Sequence, residues 1–142
     1  PKTLVQFKYA TYTTQSDFSG YIPIDNTIPQ KTEGTELITC AITPKYDTSL
    51  LKIECFGIVG CQVVSALALF KNSDDNAICA TTGGQINGTA SILELCHFTV
   101  SGTTSLITFK IRAGAPTPNH SYPNSLFGGV ATIVMRIWEF LI

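Results

Sequence analysis

The chain has 142 residues, a length that suits a single domain able to bury roughly 68% of its unfolded surface without disulfides or metal. Charged residues make up 13% of the sequence, against about 25% in ordinary soluble domains, and nine basic and ten acidic residues leave a net charge of −1. The low charge and the hydrophobic fraction of 44% exclude disorder, and the lack of a basic excess argues against binding to nucleic acid or to an anionic membrane.

Eight β-strands are predicted in chain order, because runs of Val, Ile, Phe and Thr alternate with turns that contain Gly or Pro. Gly57 and Gly60 are expected to flank a hairpin, and residues 72–76 are expected to form a turn. About eight strands without helices predict an all-β sandwich or barrel that occupies residues 1–142 as one domain. The predicted strands cover residues 3–10, 36–43, 49–58, 62–71, 76–81, 91–100, 104–113 and 130–141.

Side-chain alternation predicts which faces of these strands are buried. Residues 63–70 and much of 130–142 are apolar on both faces, which predicts that another subunit covers the second face. Arg136 and Trp138 are expected to share one face of the last strand, and Trp138 is either a cover at the sandwich edge or an anchor between subunits. The opposite face of that strand is expected to carry Ile133, Met135 and Ile137.

The segment 12–36 is polar, is punctuated by Pro23 and Pro29, and matches no regular strand. An ordered segment of this length is usually functional or packed on a neighbour. We therefore predict an extended N-terminal arm or edge segment over residues 1–36 and a sandwich over residues 37–142. The first residues lack the pattern of a signal peptide, and no apolar run reaches the ~18–20 residues of a membrane span, so synthesis in the cytoplasm is expected.

The five cysteines are irregularly spaced, and most of them lie in apolar runs. They are interpreted as reduced, buried, small hydrophobic residues. A disulfide between Cys55 and Cys61 is the alternative, and the spacing required for a zinc site is missing.

Catalytic, cofactor and metal sites are not predicted. His97 alternates with apolar neighbours and is interpreted as a core or interface residue, whereas His120 is interpreted as a loop residue. Residues 74–76 (Asp-Asp-Asn) are interpreted as a turn rather than a calcium site. We therefore expect that the protein is not an enzyme.

Several stretches resemble recurring segments of small structural proteins of tailed bacteriophages. They are 22–36 (IPIDNTIPQKTEGTE), 66–73 (ALALFKNS), and 108–114 (TFKIRAG) followed by 126–130 (LFGGV). The resemblance covers most of the chain, and its motifs are structural rather than catalytic. It implies an antiparallel jelly-roll sandwich, usually trimeric, of the kind found in capsid decoration (cement) proteins and in tail fibres.

The resemblance implies a bacteriophage virion protein made in the host cytoplasm, a homotrimer that decorates the capsid surface and stabilises the head shell. Its partners would be the major capsid protein and neighbouring virion proteins, with no nucleic acid, membrane or cofactor. The alternative is a tail-fibre or receptor-binding module that contacts a host-surface glycan or protein, and a non-viral carbohydrate-binding or signalling jelly roll is a third interpretation. We expect the interfaces of such a protein to include Pro23, Asp25, Ile28, Pro29, Glu33, Arg112, Phe127, Arg136 and Trp138.

Overall fold

A computed structural model describes residues 3–14, 20–61, 64–83, 90–116, 121–123 and 130–142, with the backbone alone at 58–61, 90–91 and 121–123. Within these ranges the chain forms nine β-strands and no helix. The strands are β1 (Thr3–Tyr12), β2 (Thr35–Ile42), β3 (Leu50–Cys61), β4 (Ser65–Lys71), β5 (Cys79–Gly83), β6 (Ala90–Val100), β7 (Ile107–Gly114), β8 (Ser121–Pro123) and β9 (Ile133–Leu141).

The strands form two antiparallel sheets that pack face to face. The first, called the five-stranded sheet, has the order β1-β9-β3-β6, and the short strand β8 pairs with the end of β3. The second, called the four-stranded sheet, has the order β2-β7-β4-β5. This interleaving of early and late strands is the double Greek-key order of a jelly roll. The predicted all-β, antiparallel jelly-roll sandwich is therefore confirmed. β1, which lies within the predicted N-terminal arm or edge segment 1–36, is an edge strand of the first sheet.

All eight predicted strands are present, and the short strand β8 is an addition to them. The hairpin predicted between Gly57 and Gly60 is wrong, because β3 continues through both glycines and pairs with β6 as far as Ala90. A Cβ atom at Gly57 would lie 2.7 Å from the Cα of Ile133 on β9. Gly57 therefore permits a close approach between two strands rather than a turn.

The core lies between the sheets and consists of inward-facing apolar residues. Ile133, Met135 and Ile137 of β9 are buried in it, and Arg136 and Trp138 point outward. The predicted alternation along this strand is therefore confirmed. The largest fully buried core side chains on the other strands include Ile42, Leu51, Ile53, Leu67, Leu69, Leu93, Ile107, Phe109 and Ile111.

Residues 20–34, here called the strap, cross the outer face of the four-stranded sheet. Ile22 is only 1% exposed and packs against Ala66, Ala68 and Phe70, which point outward from β4. The prediction that another subunit covers the second face of β4 is therefore wrong, because the strap of the same chain covers it. The strap is mostly polar, but it can cover the apolar outer face of β4 because the Ile22 side chain makes the contact with that face.

Backbone hydrogen bonds fasten the first part of the strap to the sheet. The N–H of Ile22 donates to the carbonyl of Ala115 at 3.1 Å, and the N–H of Ala115 donates to the carbonyl of Gly20 at 3.0 Å. Gly34 closes the strap with φ of +67°, and a Cβ atom there would lie 2.7 Å from Cδ1 of Ile22. Glycine is required at this position both by the left-handed backbone and by the space that Ile22 occupies.

Arg112 and Lys31 hold the second part of the strap. The Arg112 guanidinium reaches outward from β7 and donates to the carbonyls of Glu33 at 2.6 Å and of Gly34 at 2.7 Å. The backbone N–H of Lys31 donates to the carbonyl of Asp75 at 2.8 Å, and its ammonium forms an ion pair with the Asp75 carboxylate at 2.6 Å. Both parts of the strap are thus fixed to the sandwich of the same chain.

Glu139 is a fully buried carboxylate at the end of β9 that joins three parts of the chain. It accepts hydrogen bonds from the backbone N–H groups of Lys45 at 2.7 Å and Tyr46 at 3.3 Å, and from the side-chain amide of Gln6 at 2.5 Å. The same amide donates to the carbonyl of Thr43 at 2.7 Å. Burial favours a raised pKa for Glu139, but these hydrogen bonds outweigh burial, and its pKa is lowered.

Replacing Ile22 by Ala should lower the free energy of unfolding by about 2–5 kcal/mol, because it removes a buried side chain and leaves a cavity between the strap and β4. Ile28→Ala, at an exposed position of the same strap, should change it by less than about 0.5 kcal/mol. Urea unfolding measures both values. Equal effects of the two variants would contradict the role of Ile22 as the anchor of the strap.

Replacing Glu139 by Gln should lower the free energy of unfolding by about 1–3 kcal/mol at neutral pH. The NH2 group of Gln cannot accept a hydrogen bond, so a buried donor that now bonds to a Glu139 oxygen would lose its acceptor. Since the folded state lowers the pKa of Glu139, the wild type has the full advantage above the usual Glu pKa of about 4.3. It loses that advantage as the pH falls through the folded pKa. Asp47→Asn, at an exposed position, serves as the control, and a wild-type advantage that grows in acid would contradict this account.

Candidate interaction surface

The outward side chains of β1, β9, β3 and β6 form one continuous surface, here called the aromatic face. Strand register arranges them in four rows, each with one residue from every strand. Eleven of the sixteen side chains are apolar or aromatic: four in the first row, three in the second, and two each in the third and fourth. The rows are Leu4, Phe140, Leu50, Val100; Phe7, Trp138, Lys52, Phe98; Tyr9, Arg136, Glu54, Cys96; and Thr11, Val134, Phe56, Glu94.

The aromatic face is open to solvent, unlike the outer face of the four-stranded sheet. Phe7 is 44% exposed, Tyr9 67% and Phe98 54%, and Leu4 and Val100 are also exposed. With ~4.8 Å between strands and ~3.4 Å per residue, four strands by four rows cover roughly 500 Å². Apolar patches of this size on a folded chain often mark an interaction site.

Three aromatic rings on the edge strand β1 and its neighbour β9 are in contact on this face, with Phe7 touching both Tyr9 and Trp138. The ring centroids of Phe7 and Tyr9 are 5.9 Å apart, and those of Phe7 and Trp138 are 5.3 Å apart. Such contacts restrict the rings and reduce the entropy that they would lose in a complex. The group therefore has the properties of a preformed anchor for a partner.

The charged residues of the aromatic face are balanced and lie among the rings. Lys52 forms an ion pair with Glu54, and the hydrogen bond within this pair raises the pKa of Lys52. The Lys52 ammonium lies 5.0 Å from the ring centroid of Trp138, and the Arg136 guanidinium lies 4.6 Å from that of Phe56. Aromatic faces stabilise cations at these distances. Most of the aromatic face is thus apolar, but it also carries positively and negatively charged side chains.

The sequence-predicted interface residues fall on two opposite sides of the molecule. Arg136 and Trp138 lie on the aromatic face, whereas Arg112 lies on the outer face of the four-stranded sheet and holds the strap. A single attachment surface around all three residues is therefore not formed. Phe127 lies outside the described residues, and the strap contains Pro23, Asp25, Ile28, Pro29 and Glu33.

The residues that sequence reasoning missed are the exposed aromatic side chains of β1 and β6, namely Phe7, Tyr9 and Phe98. Their alternation is visible in the sequence, since Phe7 and Tyr9 flank Lys8 and Phe98 follows His97. The alternation identifies two faces but does not identify the inward one when both carry apolar residues. Only the pairing of the strands shows that these side chains share the outer face.

The described cysteines are free, but they are not all buried. Cys40 and Cys55 are buried as predicted, Cys79 is half-buried, and the prediction is wrong for Cys96, which is exposed on the aromatic face. Because Cys55 is a free thiol that faces the core, the alternative disulfide with Cys61 is not formed.

Several other sequence interpretations concern ligands and metals. Within the described residues, no group of three or more His, Cys, Asp and Glu side chains could hold a metal ion. Cavities along the strap have volumes of about 170, 200 and 340 Å³, at or below the lower end of the ~300–1,000 Å³ range of ligand pockets.

His97 is half-buried, and burial lowers its pKa. His120 lies outside the described residues, and none of the described segments is a helix able to cross a membrane.

No protein-family model matches the chain, and no curated protein matches it. Among solved structures, the chain is similar to dimeric latent PorU from Porphyromonas gingivalis, with 9% identity and a TM-score of 0.41. The similarity covers 96% of this chain and 13% of that chain, and it carries no argument about function.

Thiol labelling of the dilute folded protein should distinguish Cys96 from the buried cysteines. A maleimide should modify Cys96 and spare Cys40 and Cys55, because burial raises the pKa of Cys55 to about 12 and closes access to it. Partial burial, together with the charges of Glu54 and Glu94, raises the pKa of Cys96, so that its labelling should accelerate with pH.

Glu54→Gln should speed the labelling of Cys96 at neutral pH, since it removes a negative charge beside the thiol. Mass spectrometry of the separate peptides measures each rate. Modification of Cys55 as fast as that of Cys96 without denaturant would contradict the described burial.

Proposed function

We propose that this chain is a structural protein of a tailed-bacteriophage virion, a homotrimer that decorates the head shell and stabilises it by adhesion. Its partners would be the major capsid protein and neighbouring virion proteins. The observation that carries the proposal is the aromatic face, a preformed and exposed surface on a rigid sandwich. The sequence resemblance to small phage structural proteins supplies the biological setting.

Three of the four stretches behind that resemblance lie together in the fold. The stretch 22–36 contains most of the strap and the start of β2, 66–73 contains most of β4 and its turn, and 108–114 contains most of β7. Residues 126–129 of the fourth stretch lie outside the described residues. These three stretches contact one another through Ile22 and through the hydrogen bonds of Arg112. The motifs therefore describe how the jelly roll closes its outer surface, and they support a family fold more than a role.

Adhesion by burial of the aromatic face follows from its composition. Each Å² of apolar surface removed from water contributes roughly 25 cal/mol before the costs of association, so a face of this size contributes to a stable contact. Many weak contacts on a regular shell act together, since attachment at one site raises the effective concentration at the next. Such a protein would stabilise the shell across the junctions between capsid subunits.

The homotrimer rests on the resemblance. A three-fold assembly joins two different patches on each copy, which the edges of the sandwich would supply while the aromatic face stays free for a partner. The outer face of β4 is not open to a trimer contact, because the strap covers it.

A tail-fibre or receptor-binding module is the second candidate. It is favoured by the same rings beside charged side chains, because Phe7, Tyr9 and Trp138 with Lys52 and Glu54 could stack on and hydrogen-bond to a host-surface glycan. The two functions differ in copy number per virion. Hundreds of copies would indicate decoration of the head, and a few to tens would indicate a tail component.

The test is to add purified protein to particles that lack it and to measure occupancy by gel and by cryo-electron microscopy. The wild type should fill sites on the head, and Tyr9→Lys should reduce occupancy at least tenfold, because it places a charge on the aromatic face. Ile28→Lys, at an exposed position on the strap, should bind as the wild type does.

Density at the tail alone would support the second candidate instead. Full occupancy by Tyr9→Lys, or loss of occupancy with Ile28→Lys alone, would contradict attachment through the aromatic face.

A further inference from the structure

The aromatic face is complementary to itself. A two-fold axis that runs along the strands, midway between β9 and β3, places β9 of one copy over β3 of the other, and β1 over β6. Because such a rotation keeps each row in place, every row meets the same row of the second copy. Sheets packed face to face are ~10 Å apart and keep their strand directions within about 30° of each other, so this arrangement belongs to the ordinary aligned packing of β-sheets.

The charges match in this arrangement. Arg136 of each copy faces Glu54 of the other in the third row, so that the axis generates two identical ion pairs. Lys52 faces the Trp138 ring of the second copy, the same kind of contact that it makes within its own chain. Each charge of the two central rows therefore finds a favourable partner, as a desolvated interface requires.

The apolar side chains match as well. Phe7 faces Phe98 of the second copy, and the first row brings together only apolar residues. In the fourth row Glu94 faces the hydroxyl of Thr11, whereas a two-fold axis across the strands would place Glu94 against Val100. The register thus favours the axis along the strands over the other axis.

Two faces of roughly 500 Å² bury about 1,000 Å² in total, which is the least that a specific interface needs. We propose that two copies of this chain associate through their aromatic faces about the two-fold axis between β9 and β3. The pairing rests on the geometry of the aromatic face alone. Because a pair of chains covers both aromatic faces, the pair must dissociate before either chain attaches to a virion through that face. Combined with the proposed homotrimer through other surfaces, it would give a closed assembly of six chains.

Two charge reversals test this geometry in the purified full chain. Arg136→Glu alone places four acidic groups at the axis, and Glu54→Arg alone places four basic groups there, so each variant should repel its own copies. An equimolar mixture should associate again, because both contacts at the axis then join opposite charges. Asp74→Arg, a charge reversal in an exposed turn, is the matched control and should behave as the wild type does.

Sedimentation velocity provides the measurement. The wild type and the control should have the mass of an even number of 15.3 kDa chains, each single variant should have half that mass, and the mixture should recover it. Circular dichroism and thermal melting establish that the variants fold. If either charge reversal fails to fold, Phe98→Glu on the exposed edge strand β6 should still halve the mass.

The inference is overturned by a wild-type monomer, by a mixture of folded variants that stays dissociated, or by a folded Phe98→Glu protein with the wild-type mass. A trimer that the charge reversals leave intact would also overturn it, and it would leave the proposed homotrimer standing. A wild-type chain that stays monomeric in solution and binds virion particles through Tyr9 would assign the face to a different partner.

Discussion

The contact between Ile22 and the outer face of β4 decides which surface of this jelly roll stays open. Both sheets carry apolar residues on their outer faces, so each outer face needs a cover. The strap covers the four-stranded sheet, with Ile22 seated against Ala66, Ala68 and Phe70 and with Arg112 holding the strap in place. The described residues place no corresponding segment over the five-stranded sheet, and Phe7, Tyr9 and Phe98 are exposed there. The asymmetry between the two outer faces follows from this single contact.

Most of the fold could be predicted from the sequence, because the strands are punctuated by glycine, proline and short polar turns. The prediction was wrong where a glycine served close packing, as at Gly57, since composition does not distinguish a turn from a tight crossing of strands. The cover over β4 was missed because the strap is polar on average and its one essential apolar residue, Ile22, is only one among several aliphatic residues in it. The aromatic face was predicted only at Arg136 and Trp138, since the remaining rows depend on long-range pairing of β1, β3 and β6 with β9.

The residues that close the fold and the residues that form the aromatic face lie in different parts of this chain. Three of the stretches on which the proposed phage resemblance rests contain the strap and the strands beneath it, whereas the residues of the aromatic face lie in other strands. Such a division lets a stable sandwich keep its fold while its outer face changes partners, as is common for folds that host many functions. Glu139 adds stability at the end of β9 without touching that outer face, because it points inward to Gln6, Lys45 and Tyr46.

Hydroxyl-radical footprinting of tyrosines at increasing protein concentration tests most directly whether the aromatic face is the surface that becomes buried. The chain offers three comparably exposed reporters: Tyr9 on that face, Tyr21 in the strap and Tyr46 in the loop between β2 and β3. The account predicts that Tyr9 becomes protected as the chains associate, whereas Tyr21 and Tyr46 keep their reactivity. Protection of Tyr21 with Tyr9 unchanged would contradict it, because the strap rather than the aromatic face would then be the contact surface.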